Sequence, residues 1–571
     1  MLENSESARV EESLDANDAA RIEPPDDPVM AVAVEQESPP RWRELLAVLL
    51  FVVLVDVTIY RGYGFAGYAL LMAAAPLLLA VGAPRPRWKA GGEIGETSAG
   101  PRTAFSAPVL IVGAMLLVLA AKLVWCGSVL QAAVGFALIA TFAAALAGVC
   151  PYVFEVIVLI TQIIPAGFLG LKHYERSASI LLVGSGGRAG DRGSRTMSIL
   201  LPLVALASFG MLFILANPDL MTAFGETVAR YFAAARDWLM QYSPSIPEML
   251  VWIGTLWASV GLLRPIVGRT LFPTGGSEAT DADKRSGPAP LYAAMRNTLL
   301  VVIVLFAVYL VFEFKTLWFR EFPKGFYYSG YAHEGAAWLT AALALSTAVL
   351  SLVFRGRVLR DPRVSRLRRL AWIWSLENII LALAVYNRLY IYIGFNGMTR
   401  MRMVGLFGMS AVVVGFVLVV WKIVRDRDFG WLVRRHLWTA AIAVYLFSIT
   451  PVDAIVTSYN VRRILSGDPA PSVQISVHPI NSEGILYLEP LLGCDDKIIR
   501  EGVRAMLAER QLEAEAVAAR RKHEGWTAFQ LSDRIVLDYL KLNSDDWSDY
   551  YDPIPRDERL RRFREYAYQW Y

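Results

Sequence analysis

Long apolar stretches separated by short polar loops dominate this chain. A helix needs about 20 predominantly apolar residues to cross the hydrocarbon core of a bilayer. Stretches that meet this length lie near 45–60, 64–82, 107–124, 128–149, 151–171, 198–215, 247–263, 298–314, 335–354, 370–391, 403–424 and 437–456. The pattern predicts an all-α, polytopic transmembrane helix bundle of about 12 helices within residues 41–460.

The two ends of the chain differ from this apolar middle. Residues 1–40 hold eleven acidic residues against two arginines, which predicts a disordered acidic N-terminal tail. Residues 461–571 mix charged, alanine and aromatic positions and predict a small helical C-terminal appendage associated with the membrane. Within it, Asp495-Asp496 is a helix N-cap signal for a helix over 496–523 that Gly525 stops, and a shorter helix follows over 526–542.

Composition limits the class of protein further. Hydrophobic residues make up 55% of the 571 positions and charged residues only 19%, whereas soluble domains carry about a quarter charged residues. The net charge of +4 does not indicate nucleic-acid binding, because the basic excess lies in the loops between apolar stretches. The three cysteines and five histidines show no metal-ligand spacing, so no metal and no cofactor is expected.

The loop charges also predict an orientation, because cytoplasmic loops are enriched in Lys and Arg. Loop 355–369 carries seven arginines, and loops 422–435, 172–196 and 264–297 carry five basic residues each. These four loops are predicted inside, and the C-terminal appendage outside. Loop 83–106 carries four basic residues, but twelve crossings that alternate strictly would place it outside. Either one of the segments between 107 and 171 does not cross fully, or this loop is an exception to the rule.

Ionisable residues inside a bilayer are costly and indicate either a functional site or a helix contact. Glu377 and Asn378 lie in the middle of the 370–391 crossing, and Arg388 follows eleven residues after Glu377. Three helical turns put Glu377 and Arg388 on one face about 16 Å apart, so each needs a partner elsewhere. Both an interhelical packing bond and a substrate or ion site remain open for these residues.

Two more polar groups lie near the predicted outer ends of helices. His333 and Glu334 precede the 335–354 crossing within a tyrosine-rich segment, where a proton or ligand role and an interfacial anchoring role are both open. Asp453 follows Pro451 at the end of the last crossing and is expected to pair with Arg400 or Arg402; Asn460 comes shortly after it. An interfacial salt bridge is the simpler reading of Asp453.

Several short motifs resemble a known bacterial family. They are Phe209-x-x-x-Phe213 through Ala216-Asn217-Pro218, Tyr331-Ala332-His333-Glu334-Gly335, Tyr386-Asn387-Arg388-Leu389-Tyr390 with Thr399 to Arg402, and Pro451-Val452-Asp453-Ala454 with Tyr459-Asn460-Val461 and Arg463. Together they resemble the membrane family called domain of unknown function 4173 and the related family numbered 4153. Ala336 and Thr450-Pro451-Val452 depart from that pattern. The resemblance implies a single membrane bundle over about 45–545 and assigns no activity.

The sequence leaves several classes of function open. No catalytic motif is present, so an enzyme is not expected. A scaffold or accessory protein of the bacterial cell envelope, in the inner or plasma membrane, fits the bundle and its appendage, with the lipid bilayer and other envelope membrane proteins as partners. A transporter or channel for a small solute or ion, with a polar site around residues 377–388, is the alternative.

Overall fold

The computed structural model describes residues 41–83, 106–148, 152–183, 244–265, 291–318, 328–354, 358, 361–425, 427 and 429–570. Within these ranges all regular secondary structure is helical. Nine of the described helices are long and apolar enough to cross a membrane, or ten if the bent pair Gly430–Ile449 and Val452–Leu465 forms one span. The predicted all-α polytopic bundle is confirmed; the number of about 12 stays a prediction, because the crossing near 198–215 and the tail 1–40 lie outside the described residues.

The helices of the bundle are α1 (Trp42–Val55, extended by a π-helical turn over Asp56–Tyr60), α2 (Phe65–Gly82), α3 (Ala107–Cys126), α4 (Val129–Leu146), α5 (Val153–Val183), α6 (Ile246–Leu263), α7 (Tyr292–Glu313, extended by a π-helical turn over Phe314–Trp318), α8 (Tyr328–Val353), α9 (Val364–Asn396), α10 (Arg400–Arg425) and α11 (Phe429–Ile449). The C-terminal region contains α12 (Val452–Leu465), α13 (Ser472–Val477), α14 (Ser482–Ile485), α15 (Lys497–Glu524), α16 (Leu531–Leu542) and α17 (Pro553–Tyr568), with 3-10 turns between them.

Helices α1 to α4 and α6 pack around one apolar core, called here the first half. Met72, Leu116 and Leu119 are fully buried in it. Because lipid is as apolar as these side chains, close packing rather than exclusion from water holds such helices together. Gly135 shows how close the approach is, since a Cβ there would lie 2.4 Å from Sδ of Met72.

Helices α7 to α10 form a second core, called here the second half. Leu299, Leu343 and Phe416 are fully buried in it, and the ring of Phe306 meets that of Trp374 edge-on at 5.6 Å. The outward faces of the same helices are apolar and exposed, as at Val304, which is 63% exposed. Such a face suits contact with lipid chains.

Helix α11 connects the two halves. On one side Tyr445 packs into the first core, and its hydroxyl donates to the Met115 carbonyl at 3.1 Å. The side chain of Gln131 on α4 in turn donates to the Ser448 carbonyl at 3.0 Å. On the other side, His436 lies against Gly415 of α10, where a Cβ would be 3.0 Å from its ring Nε2.

The bundle has two ends that its contacts define. At the basic end α1 begins, α6 ends and α11 begins, and Arg264 there donates to Glu44 at 2.6 Å. At the opposite end, the tail end, α1 is followed by Arg61, which donates to Glu248 near the start of α6 at 2.5 Å. The C-terminal region packs at the tail end, as described below.

Helix α5 contacts the basic end near its start and again further along. Near its start, Glu155 lies 3.5 Å from Arg434 in the second turn of α11. Further along α5, the Tyr174 hydroxyl donates to Glu44 at the start of α1. Its length and composition suffice for a span, but both of these contacts are made at the basic end.

The contacts of α5 bear on the conflict in the loop charges. Residues in the middle of α5 pack against the last turns of α6, since a Cβ on Gly167 would meet Trp257 and a Cβ on Gly170 would meet Val260. These contacts favour the first of the two explanations that the sequence left open, in which one of the segments between 107 and 171 does not cross fully.

Within the C-terminal region, residues 461–570 have a core of their own and are called here the tail domain. Leu488, Leu491, Leu507 and Phe563 are buried in it. The predicted helix over 496–523 is confirmed as α15, whose N-cap Asp496 accepts from the Ile498 amide at 2.8 Å. Gly525 ends this helix with a φ of 78°, a conformation that glycine adopts without strain.

Two predicted boundaries in this region need correction. The helix expected over 526–542 is a 3-10 turn at Trp526–Ala528 followed by α16. The last crossing, expected over 437–456, is α11 ending at Ile449, with a bend of 66° before α12. The bend lies at Pro451, because a proline removes a backbone donor and its ring blocks a continuous helix.

Candidate functional site

The first half, the second half and the tail domain meet in one charged cluster at the tail end, called here the polar junction. Its members are Lys122, Cys126, Arg400, Asp453, Glu483 and Gln530. Each of the three parts of the protein contributes side chains to it. The junction therefore joins charged groups from separate parts of the fold.

A buried ion pair joins the first half to the tail domain. Lys122 Nζ on α3 lies 2.5 Å from Oε2 of Glu483 on α14, and the two side chains are only 10% and 7% exposed. A charge with so little access to water requires an opposite charge in contact. Since α3 is otherwise apolar, Lys122 is stable at this depth because the tail domain supplies its partner.

A second pair joins the second half to the start of α12. Arg400 on α10 donates from Nε to Oδ1 of Asp453 at 2.5 Å, and its second nitrogen reaches the other carboxylate oxygen. Asp453 is 6% exposed and also accepts the Asn481 amide at 2.8 Å. Its position in the first turn of α12 suits a carboxylate, because helix N-termini carry partial positive charge. Of the two predicted partners, the structure selects Arg400.

Uncharged groups complete the contact between tail and bundle. The Gln530 side chain accepts the Gly127 amide at 2.5 Å and donates to the Leu123 carbonyl at 3.0 Å, so it caps the end of α3. Thr527 accepts the Tyr63 amide at 3.1 Å beyond the end of α1. Buried backbone groups at helix ends need such partners, and the tail domain provides them.

Two further predicted residues shape the turn between α9 and α10. Asn460 on α12 accepts the Met398 amide at 2.7 Å and donates to the Met398 carbonyl at 2.9 Å. Its side-chain amide therefore satisfies both backbone groups of Met398. Arg402 donates to the Gly397 carbonyl and lies 3.7 Å from the centroid of the Tyr392 ring. Asn460 and Arg402 thus hold the backbone of one turn, and Asp453 lies beside it through its pair with Arg400.

Arg388 belongs to a different ion pair, within the second half. It donates to Glu313 at the end of α7 at 2.7 Å and 2.6 Å, and the side chains are 6% and 1% exposed. The Tyr309 hydroxyl donates to the same carboxylate at 2.9 Å. Glu313 was not singled out from the sequence. The feature that could have identified it is that it is a lone carboxylate at the end of an apolar stretch.

Glu377 and Asn378 do not join either group. Asn378 is fully buried and donates to the Trp374 carbonyl one turn earlier on its own helix at 2.8 Å. Glu377 is partly buried, and its Oε2 meets no hydrogen-bond partner among the described residues. Arg388 lies eleven residues away and is already paired, so residues 377–388 do not form a single site in the described part of the chain.

The remaining candidates, His333 and Glu334, lie on α8. Their side chains fall outside the described part of the structure. Nearby on the same helix, Thr340 lines an apolar cavity between α8, α9 and α10 together with Tyr386 and Met409. None of the predicted polar residues whose side chains are described lines this cavity.

Chemically, the polar junction is suited to holding parts of the protein together. Lys122 and Arg400 are each paired with a carboxylate of the C-terminal region, so their charges are balanced within the protein. Among the described residues, no group of three or more His, Cys, Asp or Glu side chains is placed to hold a metal ion. The junction therefore resembles an internal interface more than an open binding site.

Comparison with known proteins gives one match. The family model described as Domain of unknown function (DUF4153) matches residues 102–478, about two thirds of the chain, whereas no match to the family numbered 4173 is shown. No curated protein and no solved structure matches this chain. The matched range covers α3 to α12, including Lys122, Arg400 and Asp453 of the polar junction, so the chain belongs to the DUF4153 family of proteins with a domain of unknown function.

Proposed function

We propose that this multi-pass membrane protein is a scaffold or accessory protein of the bacterial cell envelope. In this proposal the bundle sits in the inner or plasma membrane and holds the tail domain at its outer surface for contact with other envelope membrane proteins. The observation that supports it most is the polar junction, which ties the tail domain to both halves of the bundle. An appendage fixed in this way keeps a constant orientation relative to the membrane.

The orientation is supported by the loop charges. Glu155 and Tyr174 of α5 both contact the basic end, and the described helix ends that flank linkers 83–106, 264–297 and 355–369 lie there as well; in our proposal linker 172–196 follows them. Cytoplasmic loops are the ones enriched in Lys and Arg, so the tail end faces outward in our proposal. A reporter fused after Tyr571 should be active outside the cytoplasm; activity confined to the cytoplasm would contradict this orientation.

The scaffold role can be tested with photo-crosslinking side chains placed one at a time in the full chain in cells. Leu542 and Ile554 are 85% and 78% exposed on the tail domain and suit this purpose. Val304, 63% exposed on the outer face of α7, is the control, because it is expected to contact lipid. We expect discrete protein adducts from the two tail positions and none from Val304. Absence of adducts at both tail positions would argue against a scaffold.

One observation keeps transport as a second candidate. Glu377 lies in the membrane-spanning part of α9 with an oxygen that no described residue satisfies, and such carboxylates mark ion pathways in other membrane proteins. Ion flux through liposomes that contain the full chain separates the two candidates. The scaffold proposal expects no flux above that of empty liposomes, whereas flux that Glu377→Gln abolishes would replace it with the transport proposal.

A further inference from the structure

Cationic side chains at the basic end lie over aromatic rings. The pairs are Arg43 over Trp42 at 5.6 Å, Lys172 over Phe168 at 4.5 Å, Arg363 over Tyr292 at 4.1 Å and Arg425 over Trp421 at 5.3 Å. Aromatic and basic side chains are enriched together where a membrane protein meets lipid headgroups. This end of the bundle therefore has the composition of a headgroup interface.

Arg435 on α11 differs from these pairs because it has two rings. Its guanidinium carbon lies 5.2 Å from the ring centroid of Trp438 and 5.7 Å from that of Trp431. Trp431 and Trp438 precede and follow Arg435 by one helical turn, so the three side chains share a face. Trp438 also meets the ring of Tyr152 at 5.8 Å, which fixes its position against the start of α5.

The charge of Arg435, unlike that of the neighbouring Arg434, is not balanced by a described residue. Arg434 is 5% exposed and lies 3.5 Å from Glu155, so its charge is balanced within the protein. Arg435 is half-buried, and within the described residues its guanidinium has neither an ion pair nor a hydrogen bond. A guanidinium carries five donors in a plane that matches two oxygens of a phosphate group.

An apolar track continues from Arg435 along the same helix. Ile442 and Leu446 follow it by seven and eleven residues, which places them on the same face of α11. They are 48% and 44% exposed. A molecule with a phosphate at Arg435 and a hydrocarbon chain beside Ile442 and Leu446 would therefore match both the charge and the apolar surface.

We propose that Arg435, between the rings of Trp431 and Trp438, binds the phosphate of an anionic phospholipid of the leaflet at the basic end. The guanidinium donates to the phosphate oxygens, and an acyl chain runs along Ile442 and Leu446. The stacked rings hold the guanidinium plane in place before the lipid arrives. Basic pockets between helices on the cytoplasmic side of a membrane bind anionic headgroups, and in our proposal the basic end is on that side.

The test uses the full chain in a neutral detergent, with phosphatidylglycerol or phosphatidylcholine added in steps. Native mass spectrometry counts the lipid molecules retained by the protein. We expect tighter retention of phosphatidylglycerol than of phosphatidylcholine, and about fivefold weaker phosphatidylglycerol binding for Arg435→Gln. Arg435→Lys keeps the charge and loses the planar donor array, so it should fall between wild type and Arg435→Gln.

Arg296 provides a matched control. It is an exposed arginine in the first turns of α7 at the basic end, and its hydrogen bonds go to the adjacent Asn297. Arg296→Gln should therefore leave phosphatidylglycerol binding unchanged. Equal losses for Arg296→Gln and Arg435→Gln would show diffuse attraction by surface charge and overturn the proposal.

Two more results would also overturn it. One is equal retention of the two lipids by the wild-type protein. The other is displacement of phosphatidylglycerol by inorganic phosphate or glycerol phosphate at the same concentration, because the site would then select a soluble anion. If Arg435→Gln melts at a lower temperature than wild type in lipid-free detergent, Trp431→Leu serves as the second variant, and unchanged lipid binding by Trp431→Leu would contradict the role of the rings.

Discussion

The ion pair of Glu313 and Arg388 makes the sharpest prediction about stability. Glu313→Gln keeps the size of the side chain and removes its charge, so Arg388 would be left with a neutral partner at 6% exposure. Breaking a buried pair by removing one charge costs about 3–5 kcal/mol. The geometry supports a value in that range, because two charge-assisted hydrogen bonds at 2.6 Å and 2.7 Å are weakened together.

The same pair predicts strong non-additivity. Glu313→Leu combined with Arg388→Met removes both charges, and such a replacement is often neutral or stabilising. We expect the double variant to be within about 2 kcal/mol of wild type, although each single change is costly. Gly335 lies against this pair, since a Cβ there would be 1.9 Å from Nη1 of Arg388, so Gly335→Ala should also weaken it.

The assay is reversible unfolding of the full chain in mixed micelles, with the free energy of unfolding extrapolated to the absence of denaturant. Asp538→Asn serves as the control, because the Asp538–Arg534 pair on the tail domain is 59% and 66% exposed and should contribute about 0.2–1 kcal/mol. A loss below about 1 kcal/mol for Glu313→Gln, or a double variant as unstable as the sum of its single changes, would refute the reasoning.

Three further outcomes are expected. Glu483→Gln leaves Lys122 buried without its carboxylate and should speed hydrogen exchange at the start of the tail domain; unchanged exchange would contradict the role of the polar junction. Gly397→Ala should cost about 1–3 kcal/mol, measured by unfolding, because φ is +83° and a Cβ would lie 2.4 Å from Oδ1 of Asn460. Burial and the hydrogen bond to Asp496 raise the pKa of Tyr566 to about 12 from its usual 10. The stabilisation of the tail domain by Tyr566 is therefore present below pH 10 and is lost as the pH rises through 12. A Tyr566→Phe variant whose melting temperature falls as steeply as that of wild type over this range would show that another group is responsible.

Features that depend on one stretch of chain were predictable from the sequence. Apolar length sets whether a helix can cross a bilayer, so the membrane bundle followed from the pattern. The N-cap Asp496 and the stop at Gly525 act on the helix next to them, and both ends of α15 were predicted to within one residue. The spacing of Glu377 and Arg388 along one helix also excluded a bond between them.

Features that depend on which helices become neighbours required the tertiary structure. The pattern gave Arg388 no partner, because Glu313 is 75 residues away and only the packing of α7 against α9 brings them together. Lys122 and Glu483 are separated by 361 residues and meet only when the tail domain packs on α3. The path of α5 was equally undecided from the sequence, since its composition suits a crossing whereas Glu155 and Tyr174 both contact the basic end. The hydropathy of a segment indicates whether it lies in lipid or in water. Which residue pairs with a buried charge depends instead on how the whole chain packs.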